Sequence, residues 1–460
     1  MIKIPYRSWI GFMIFWSATT GSFFLGHFQM SILVMIDKEY WNKTLTRQNY
    51  VQKDYGPRYN WTMVEEGQLI SSYYYGLAIM SLPGGILADL VGPYRSILVT
   101  NLMSAAVTSL AVPLSGNNWI PLFVCRFIVG LGGGIGFPAL SSLIAKWAPP
   151  KEKAIFTSCI LGFVFGSLVT PPIAFAVIRY MGWQWSFYLT SLSALLFCVV
   201  WFFIVSDYPL DNWFCPKEEA GYIDESLEGT VQKGWVKPPI WKMITSLPFL
   251  VLAMGHFGVV SGMFLVVTLL PKFLDEALEF DLEKVGTMAA IPNIGRLIAG
   301  FTYGIVVGIL MKRYGIDKKY LRKGFVIFSH MLPGTVLSIF LLNFLIEFGH
   351  SLAIALLIIS TLCASSAVVT TSVNPQDLAP NFAGTQIGII GFVGATAGFI
   401  YPSMLAKITE EKSDLLHWSI LFGIIGGVYL FTGSMFIIFG STSVQPWNEK
   451  KAQTAQNETS

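Results

Sequence analysis

The sequence predicts an all-α membrane protein in which about twelve transmembrane helices form two six-helix halves. Apolar residues make up 53% of the 460 residues, whereas charged residues make up only 12%. Apolar runs long enough to cross a bilayer, about 20 residues each, recur from end to end. A polar stretch at 206–243 interrupts these runs once, so it separates an N-terminal half, 1–205, from a C-terminal half, 244–440. A polar tail follows at 441–460.

The apolar runs give the expected membrane spans. Those of the first half lie at about 9–36, 68–90, 97–113, 120–147, 154–180 and 185–205. Those of the second half lie at about 248–274, 285–311, 324–348, 352–373, 384–408 and 415–439. The first run is too long for the apolar region of a cleavable signal peptide, so it is expected to be a true span behind a short basic start.

The loop between the first two spans indicates the orientation of the chain. It carries two acceptor sequences for N-glycosylation, Asn42-Lys-Thr44 and Asn60-Trp-Thr62. They predict that Asn42 and Asn60 are glycosylated and that this loop is extracytoplasmic. Both chain termini and the 206–243 linker are then cytoplasmic. The basic run at 312–323 falls on the same side, as expected for cytoplasmic loops.

The fourth span holds the first candidate for a binding residue, in the stretch RFIVGLGGGIGFPALSSLIAKWAPPKEK at 126–153. An arginine near the bilayer centre costs about 2.5–3.5 kcal/mol on insertion scales, so Arg126 needs a partner or a water-filled cavity. Its guanidinium stays charged and matches a carboxylate or phosphate with two parallel hydrogen bonds. The alternative is an interfacial arginine that reaches toward the lipid headgroups. Five glycines follow it and let neighbouring helices approach closely: Gly130, Gly132, Gly133, Gly134 and Gly136.

Two further polar residues lie within apolar spans. His27 is the only titratable side chain near the middle of the first span. It would either titrate, to sense pH or to carry a coupling proton, or remain neutral as a packing residue. Arg296 lies in the eighth span, within AAIPNIGRLIAGFTYG, where nothing else is charged. It would either face the central cavity as a second anion-binding cation or pair with a polar neighbour and lock helices together.

Three successive tyrosines in the second span, 73–75, cover about 300° of a helix, so at least one faces the bundle. Tyr73 or Tyr74 could then donate a hydrogen bond to an anion. The alternative is an aromatic belt at the membrane interface.

In the polar linker, acidic residues alternate with aromatic and small ones around 217–225, which predicts a short amphipathic helix on the cytoplasmic face. The five cysteines form no disulfide pattern and are expected to be packing residues.

Several motifs resemble those of known transporters. The run Gly85, Asp89, Gly92 and Arg95, within GGILADLVGPYRS, resembles the signature between the second and third spans of the major facilitator superfamily. The resemblance implies that Asp89 and Arg95 latch neighbouring helices in one conformational state.

A more specific resemblance, to the anion–cation symporter family of sialin, the vesicular glutamate transporters and the sodium–phosphate cotransporters, covers nearly the whole chain. It is carried by RFIVGLGGGIGFPA with KWAPPKEK, by MGWQWSFYLTS and by NPQDLAPNFAGTQIGI. The resemblance implies a twelve-helix transporter of organic anions or phosphate. Asn374 and Asp377 of the last motif are expected to cap the next helix and to serve as part of the conformational latch.

The chain departs from this family at four positions. Members commonly carry an arginine where this chain has His27 and, in sialin-like and glutamate-type members, an acid where it has Gly133. Glutamate-type members also carry a histidine at the position of Ile70 and an arginine at that of Val259. A glutamate substrate is therefore not expected, and proton coupling through an acid in the fourth span is excluded because that acid is absent.

Together these features predict a secondary active transporter whose midplane site opens alternately to each side. The expected substrate is a small organic anion or phosphate, and the driving force is sodium, protons or the membrane potential. No metal, no cofactor beyond a coupling ion (Na⁺ or H⁺) and no nucleic-acid partner are expected. The protein is expected to act as a monomer in the plasma membrane or in a lysosomal or vesicular membrane.

Two other function classes compete with transport. A non-transporting sensor that keeps the fold would account for the missing first-span arginine and fourth-span acid. A membrane enzyme would need a cluster of catalytic polar groups at one interface, and the sequence offers none, so enzymatic activity is not expected.

Overall fold

The computed structural model describes residues 5–37, 54–149, 152–227, 238–341, 350–379, 382–409 and 415–448. Within these residues the chain is helical throughout, and its main elements are twelve helical segments, α1 to α12. In the first half they are α1 (Tyr6–Met35), α2 (Met63–Val91), α3 (Pro93–Leu114), α4 (Ile120–Trp147), α5 (Lys153–Ser158, a 3₁₀ turn at Cys159–Leu161, then Gly162–Met181) and α6 (Trp183–Ile204).

Five of the six segments of the second half, α7 to α11, contain an irregular turn or a break. The six segments are α7 (Leu247–Phe264, a π turn at Leu265–Leu269, then Leu270–Glu276), α8 (Leu282–Met288 and Ile291–Tyr314), α9 (Lys318–Val326, a π turn at Ile327–Met331, then Leu332–Ile339), α10 (His350–Ala364 and a 3₁₀ turn at Ser365–Val369), α11 (Ala383–Ala395 and Ala397–Ile408) and α12 (Leu415–Phe439). The tenth span, predicted at about 352–373, is an α-helix as far as Ala364 and continues as a 3₁₀ turn over Ser365–Val369.

Ten of these segments are long and apolar enough to cross a bilayer in the part of the chain that the structure describes. The other two are α2 and α9. Glu65 and Glu66 lie in the first turn of α2, and α9 begins with the basic residues of the sequence KKYLRK. Charge at the end of a span lowers its mean hydropathy without preventing it from crossing, since the ends reach the polar headgroups. The predicted twelve-helix, all-α architecture is confirmed.

Successive segments run in opposite directions, so the bundle has two faces. We call the face that holds Asn60 the sequon face and the face that holds the 206–243 linker the linker face. On the sequon face, a capping box starts α2: the Thr62 side chain accepts from the backbone N–H of Glu65, and the Glu65 carboxylate accepts from that of Thr62. Such a box satisfies backbone donors that a helix start otherwise leaves free.

Glycines bring α2 and α4 into backbone contact; the sequence predicted a close approach at the glycines of α4, and the structure shows that α2 is the partner. A Cβ atom at Gly76 would collide with the carbonyl oxygen of Phe127, and one at Gly130 would collide with that of Tyr73. Only glycine allows two helices to approach this closely. The result fixes Tyr73 directly beside the stretch that carries Arg126.

The linker forms the predicted helix, at Lys217–Leu227, and buries Ala220 and Ile223 against the protein. Its Glu219 carboxylate accepts hydrogen bonds from the backbone N–H groups of Tyr6 and Arg7 at 2.8 and 3.0 Å. Since Pro5 provides no side-chain cap for α1, Glu219 supplies the missing acceptor from the linker. The apolar face of the linker helix therefore contacts the N-terminal half.

Candidate functional site

Arg126 lies in the second turn of α4 with its side chain inside the bundle. The residue is 3% exposed, and its Nη1 donates to the carbonyl oxygen of Phe24 at 2.9 Å. The guanidinium carbon lies 4.1 Å from the ring centre of Phe28 and 5.4 Å from that of Tyr73. Nε and Nη2 are buried without a hydrogen-bond partner among the described residues. The headgroup-facing alternative is therefore wrong, because the aromatic rings of α1 and α2 hold the cation inside.

His27 and Gln29, on α1, add polar atoms to the same region. The Nδ1 atom of His27 lies 2.8 Å from the carbonyl oxygen of Phe23, which can only accept, so Nδ1 carries a proton. The ring packs edge-on against Phe187, 4.8 Å between centres, and is close enough to Arg126 to interact electrostatically. His27 Nε2 and Gln29 Nε2 are buried without partners among the described residues.

Tyr73 and Tyr74 are both buried, so the aromatic-belt alternative is wrong for them. The Tyr73 hydroxyl lies over Gly133, at the place that a Cβ atom on residue 133 would occupy. Residue 133, where the family resemblance leads one to expect an acid, is thus covered by a phenol from α2. Tyr74 joins the two halves: its hydroxyl lies 2.5 Å from the Thr268 hydroxyl of α7, and its ring packs on Gly398 of α11.

A cavity of about 60 Å³ opens beside Tyr73, between α1, α3, α4 and α5. Its wall includes Ser17, Asn101, Ser104 and Gly133, and no charged side chain. The Asn101 amide donates to the carbonyl oxygen of Ile97 at 2.8 Å, which leaves its own oxygen available to the cavity. A drug-sized ligand needs about 300 Å³ or more, so this conformation has room only for a few water molecules.

Arg296 lies apart from Arg126, on α8. Its Nη2 is 3.2 Å from the sulfur of Met263, and its Nη1 is buried without a partner in the described part of the chain. A thioether is a weak acceptor, so the guanidinium is only partly satisfied. No contact among the described residues joins the two arginines.

The predicted latch residues occupy the linker face. Asp377 accepts from Arg322 Nε at 3.1 Å and lies 3.5 Å from Lys318 Nζ, while the Asn374 amide donates to the carbonyl oxygen of Ser441 at 2.8 Å. The expectation that Asn374 and Asp377 cap the next helix is wrong. Both belong to a short helix of their own, Asn374–Leu378, and the residue before α11, Phe382, makes no side-chain cap.

The second latch pair is only partly described. Arg95 is exposed and makes no ion pair among the described residues, whereas the side chain of Asp89 lies outside them. The acid that contacts this turn is Asp207, which accepts from the backbone N–H of Tyr94 at 3.0 Å. Gly92 has φ +94 and faces Asp207 so closely that a Cβ atom would collide with its carboxylate. Sequence reasoning missed Asp207 because it lies in the linker, far from the motif.

Of the two predicted glycosylation sites, Asn60 is exposed on the sequon face, directly before α2, and Asn42 lies outside the described residues. Sequence reasoning also missed a buried ion pair on this face, between Glu66 of α2 and Lys272 of α7. A lysine within the apolar run LVVTLLPKFL was the available signal.

Comparison with known proteins agrees with this architecture. The chain is 28% identical to sialin of Ovis aries, with 85% of this chain and 78% of sialin covered. It is 26% identical to vesicular glutamate transporter 2 of Bos taurus (88% and 70% covered) and 26% identical to sodium-dependent phosphate transport protein 3 of Mus musculus (89% and 86% covered).

Its fold resembles that of a peptide transporter solved in complex with sulfate, with a TM-score of 0.65, 18% identity and 95% of both chains covered. The sequence profile described as the Major Facilitator Superfamily matches residues 8–402. This multi-pass membrane protein, which buries an arginine among aromatic rings inside a twelve-helix bundle, therefore belongs to the Major Facilitator Superfamily.

Proposed function

We propose that this protein is a secondary active transporter that moves a small organic anion or phosphate by alternating access. One observation carries the proposal: Arg126 is buried, its Nε and Nη2 atoms have no hydrogen-bond partner, and no acid neighbours it among the residues described. A buried cation without a counter-ion is costly, and an anionic ligand would offset that cost. The relatives named for glutamate and phosphate transport support an anionic substrate.

The other parts of the site follow from this role. Nε and Nη2 of Arg126 would donate to one end of the anion, and the Tyr73 hydroxyl would donate from the wall of the cavity. His27 Nε2 would bind a proton or the substrate, and Arg296 would act as a second cation once the site opens. The halves at 1–205 and 244–440 would rock about this site, as in other transporters built from repeats.

The remaining features of the proposal concern coupling and placement. Since residue 133 is a glycine, the driving force would be Na⁺, a proton carried by His27, or the membrane potential alone. We place both termini in the cytoplasm, glycans on Asn42 and Asn60, and a functional monomer in the plasma membrane or in a lysosomal or vesicular membrane.

Uptake into proteoliposomes tests the proposal. The panel holds phosphate, urate, sialic acid, glutamate, aspartate, ATP and an aromatic organic anion, under imposed Na⁺, H⁺ and potential gradients. We expect saturable uptake of at least one anion, lost in Arg126→Gln and lowered about tenfold to a hundredfold in kcat/KM in Arg126→Lys, because lysine cannot form the paired hydrogen bonds. Arg313→Gln, which removes an exposed arginine, should transport normally.

Thermal unfolding and size-exclusion profiles must first show that each variant is folded. Uptake that persists unchanged in folded Arg126→Gln would refute the assigned site. Ligand binding without flux under any gradient would favour the sensor. A sensor would also account for the absence of an acid at Gly133 in the fourth span.

A further inference from the structure

The cavity in the N-terminal half is surrounded by polar side-chain atoms that have no hydrogen-bond partner in the described part of the chain. Three residues of its wall carry hydroxyl groups of this kind: Ser17 of α1, Tyr73 of α2 and Ser104 of α3. These residues are 8%, 4% and 4% exposed. The amide oxygen of Asn101 is the fourth such atom. A polar group this deep in the bundle is costly unless it is paired, so the four oxygens indicate a polar ligand.

The glycines of α4 place two of these oxygens beside each other. A Cβ atom on Gly132 would lie 2.8 Å from Ser104 Oγ, and one on Gly133 would lie 2.5 Å from the Tyr73 hydroxyl oxygen. Both glycines line the cavity. Ser104 and Gly133 lie near the middle of α3 and α4, so the oxygens are close to the bilayer midplane.

Asn101 restricts the charge of the ligand. Its Nδ2 donates to the carbonyl oxygen of Ile97 at 2.8 Å, so the atom that remains is Oδ1, which can only accept. An acceptor of this kind favours a cation and disfavours an anion. The described wall contains no acid and no histidine, so it lacks both a proton-carrying group and the negative charge that divalent cations usually require. A small monovalent cation held by neutral oxygens fits this wall.

We propose that the cavity binds Na⁺, with Ser17, Tyr73, Asn101 and Ser104 as side-chain oxygen ligands and with water completing the coordination shell. Midplane sites hold the coupling ion in other transporters. That Na⁺ drives transport here rests on the proposed function, whereas Na⁺ binding itself does not.

Tyr73 joins this site to Arg126. Its ring centre lies 5.4 Å from the guanidinium carbon, while its hydroxyl lies at the cavity wall. Phe24 makes a second link, because its carbonyl oxygen accepts from Arg126 and the residue also lines the cavity. Two positive charges this close repel each other in a poorly solvated interior, so an anion bound to Arg126 would strengthen Na⁺ binding. By linkage, Na⁺ would strengthen anion binding by the same factor.

Sodium binding to the purified full-length protein tests the site without any substrate. Binding of radioactive Na⁺ and thermal unfolding are measured while NaCl replaces choline chloride at constant ionic strength. We expect saturable Na⁺ binding and a rise in the unfolding temperature that choline does not produce. Asn101→Leu and Ser104→Ala should each weaken Na⁺ binding at least about tenfold, because each removes one ligand oxygen.

Thr100→Val is the matched control. Thr100 lines the same cavity, but its hydroxyl already donates to the carbonyl oxygens of Ser96 and Ile97, at 2.8 and 3.1 Å. This variant should bind Na⁺ within about twofold of the parent. Arg126→Gln should bind Na⁺ at least about threefold more tightly in the absence of substrate, because the repelling charge is removed.

The absence of saturable Na⁺ binding would show that the four oxygens bind water only, and it would overturn the proposal. An equal weakening in Thr100→Val and Ser104→Ala would also overturn it, and unchanged affinity in Arg126→Gln would refute the link to the anion site. If Asn101→Leu does not fold, Ser17→Ala replaces it with the same expected loss.

This outcome is separate from that of the uptake experiment. Anion uptake driven by protons or potential alone, in a protein that binds no Na⁺, would remove this site and leave the transporter. Saturable Na⁺ binding without uptake of any anion would keep the site and refute transport.

Discussion

At the scale of single residues, Gly133 and Tyr73 must be considered together. The tyrosine hydroxyl fills the space beside residue 133, and its ring lies against the Arg126 guanidinium. A side chain at 133 would push the phenol toward the arginine or out of the bundle. A glycine at 133 therefore leaves the Tyr73 phenol in place beside Arg126, whereas a larger side chain at 133 would displace it.

We predict that Gly133→Ala destabilises the protein by about 1–3 kcal/mol, because the new methyl group overpacks against a rigid ring. Tyr73→Phe removes the nearest atom, so the double variant should lose less than the sum of the two single losses. Thermal unfolding in detergent measures all three. Gly136→Ala is the control, since nothing lies within 4 Å of its Cβ position. Strictly additive losses would show that the hydroxyl does not restrict residue 133.

At the scale of elements, Arg322 ties the start of α9 to the end of α10. It binds Asp377 and also donates from Nη1 to the carbonyl oxygen of Val369 at 2.9 Å. The basic run at 312–323 suggested only loop charge on the cytoplasmic side. One member of that run is instead buried, and it holds together the turn in which α10 ends early.

We predict that Asp377→Asn lowers the free energy of unfolding by about 3 kcal/mol, since it leaves the buried Arg322 without its charged partner. Lys318→Met should cost less than about 1 kcal/mol, because Lys318 is 41% exposed and 3.5 Å from the same carboxylate. Denaturant or thermal unfolding of the purified variants checks both values. Equal losses in the two variants would contradict the assignment to Arg322.

At the scale of the whole molecule, the linker is fastened to the N-terminal half through charges. Arg7 binds Glu152, between α4 and α5, at 2.7 Å and Glu219 of the linker helix at 3.2 Å. Cys215, just before this helix, is buried beside the same groups. Burial and the nearby Glu219 raise the pKa of the Cys215 thiol to about 11, against a smaller lowering by Arg7.

We predict that Arg7→Ala releases the linker helix and makes Cys215 reactive at pH 7. A thiol with an ordinary pKa of about 8.5 holds far more thiolate at that pH than one near 11, so alkylation of Cys215 should rise by more than about tenfold. In the parent protein, alkylation should instead increase as the pH approaches 11. Peptide mass spectrometry identifies the site, and Glu218→Ala, an exposed neighbour, should alkylate like the parent. Unchanged reactivity in Arg7→Ala would show that Arg7 does not hold the linker.

The sequence by itself determined the twelve spans, the glycine-rich face of α4 that allows a close helix contact, and Arg126 as the central polar residue. These depend on local properties: the apolar length of a helix, the glycine content of one face, and a charge within an apolar run. The tertiary structure alone decided which groups meet. It placed Phe28 and Tyr73 on Arg126, Arg322 on Asp377, and Lys272 on Glu66, 206 residues away. Contacts between distant helices depend on how those helices pack, and no local pattern in either helix specifies its partner.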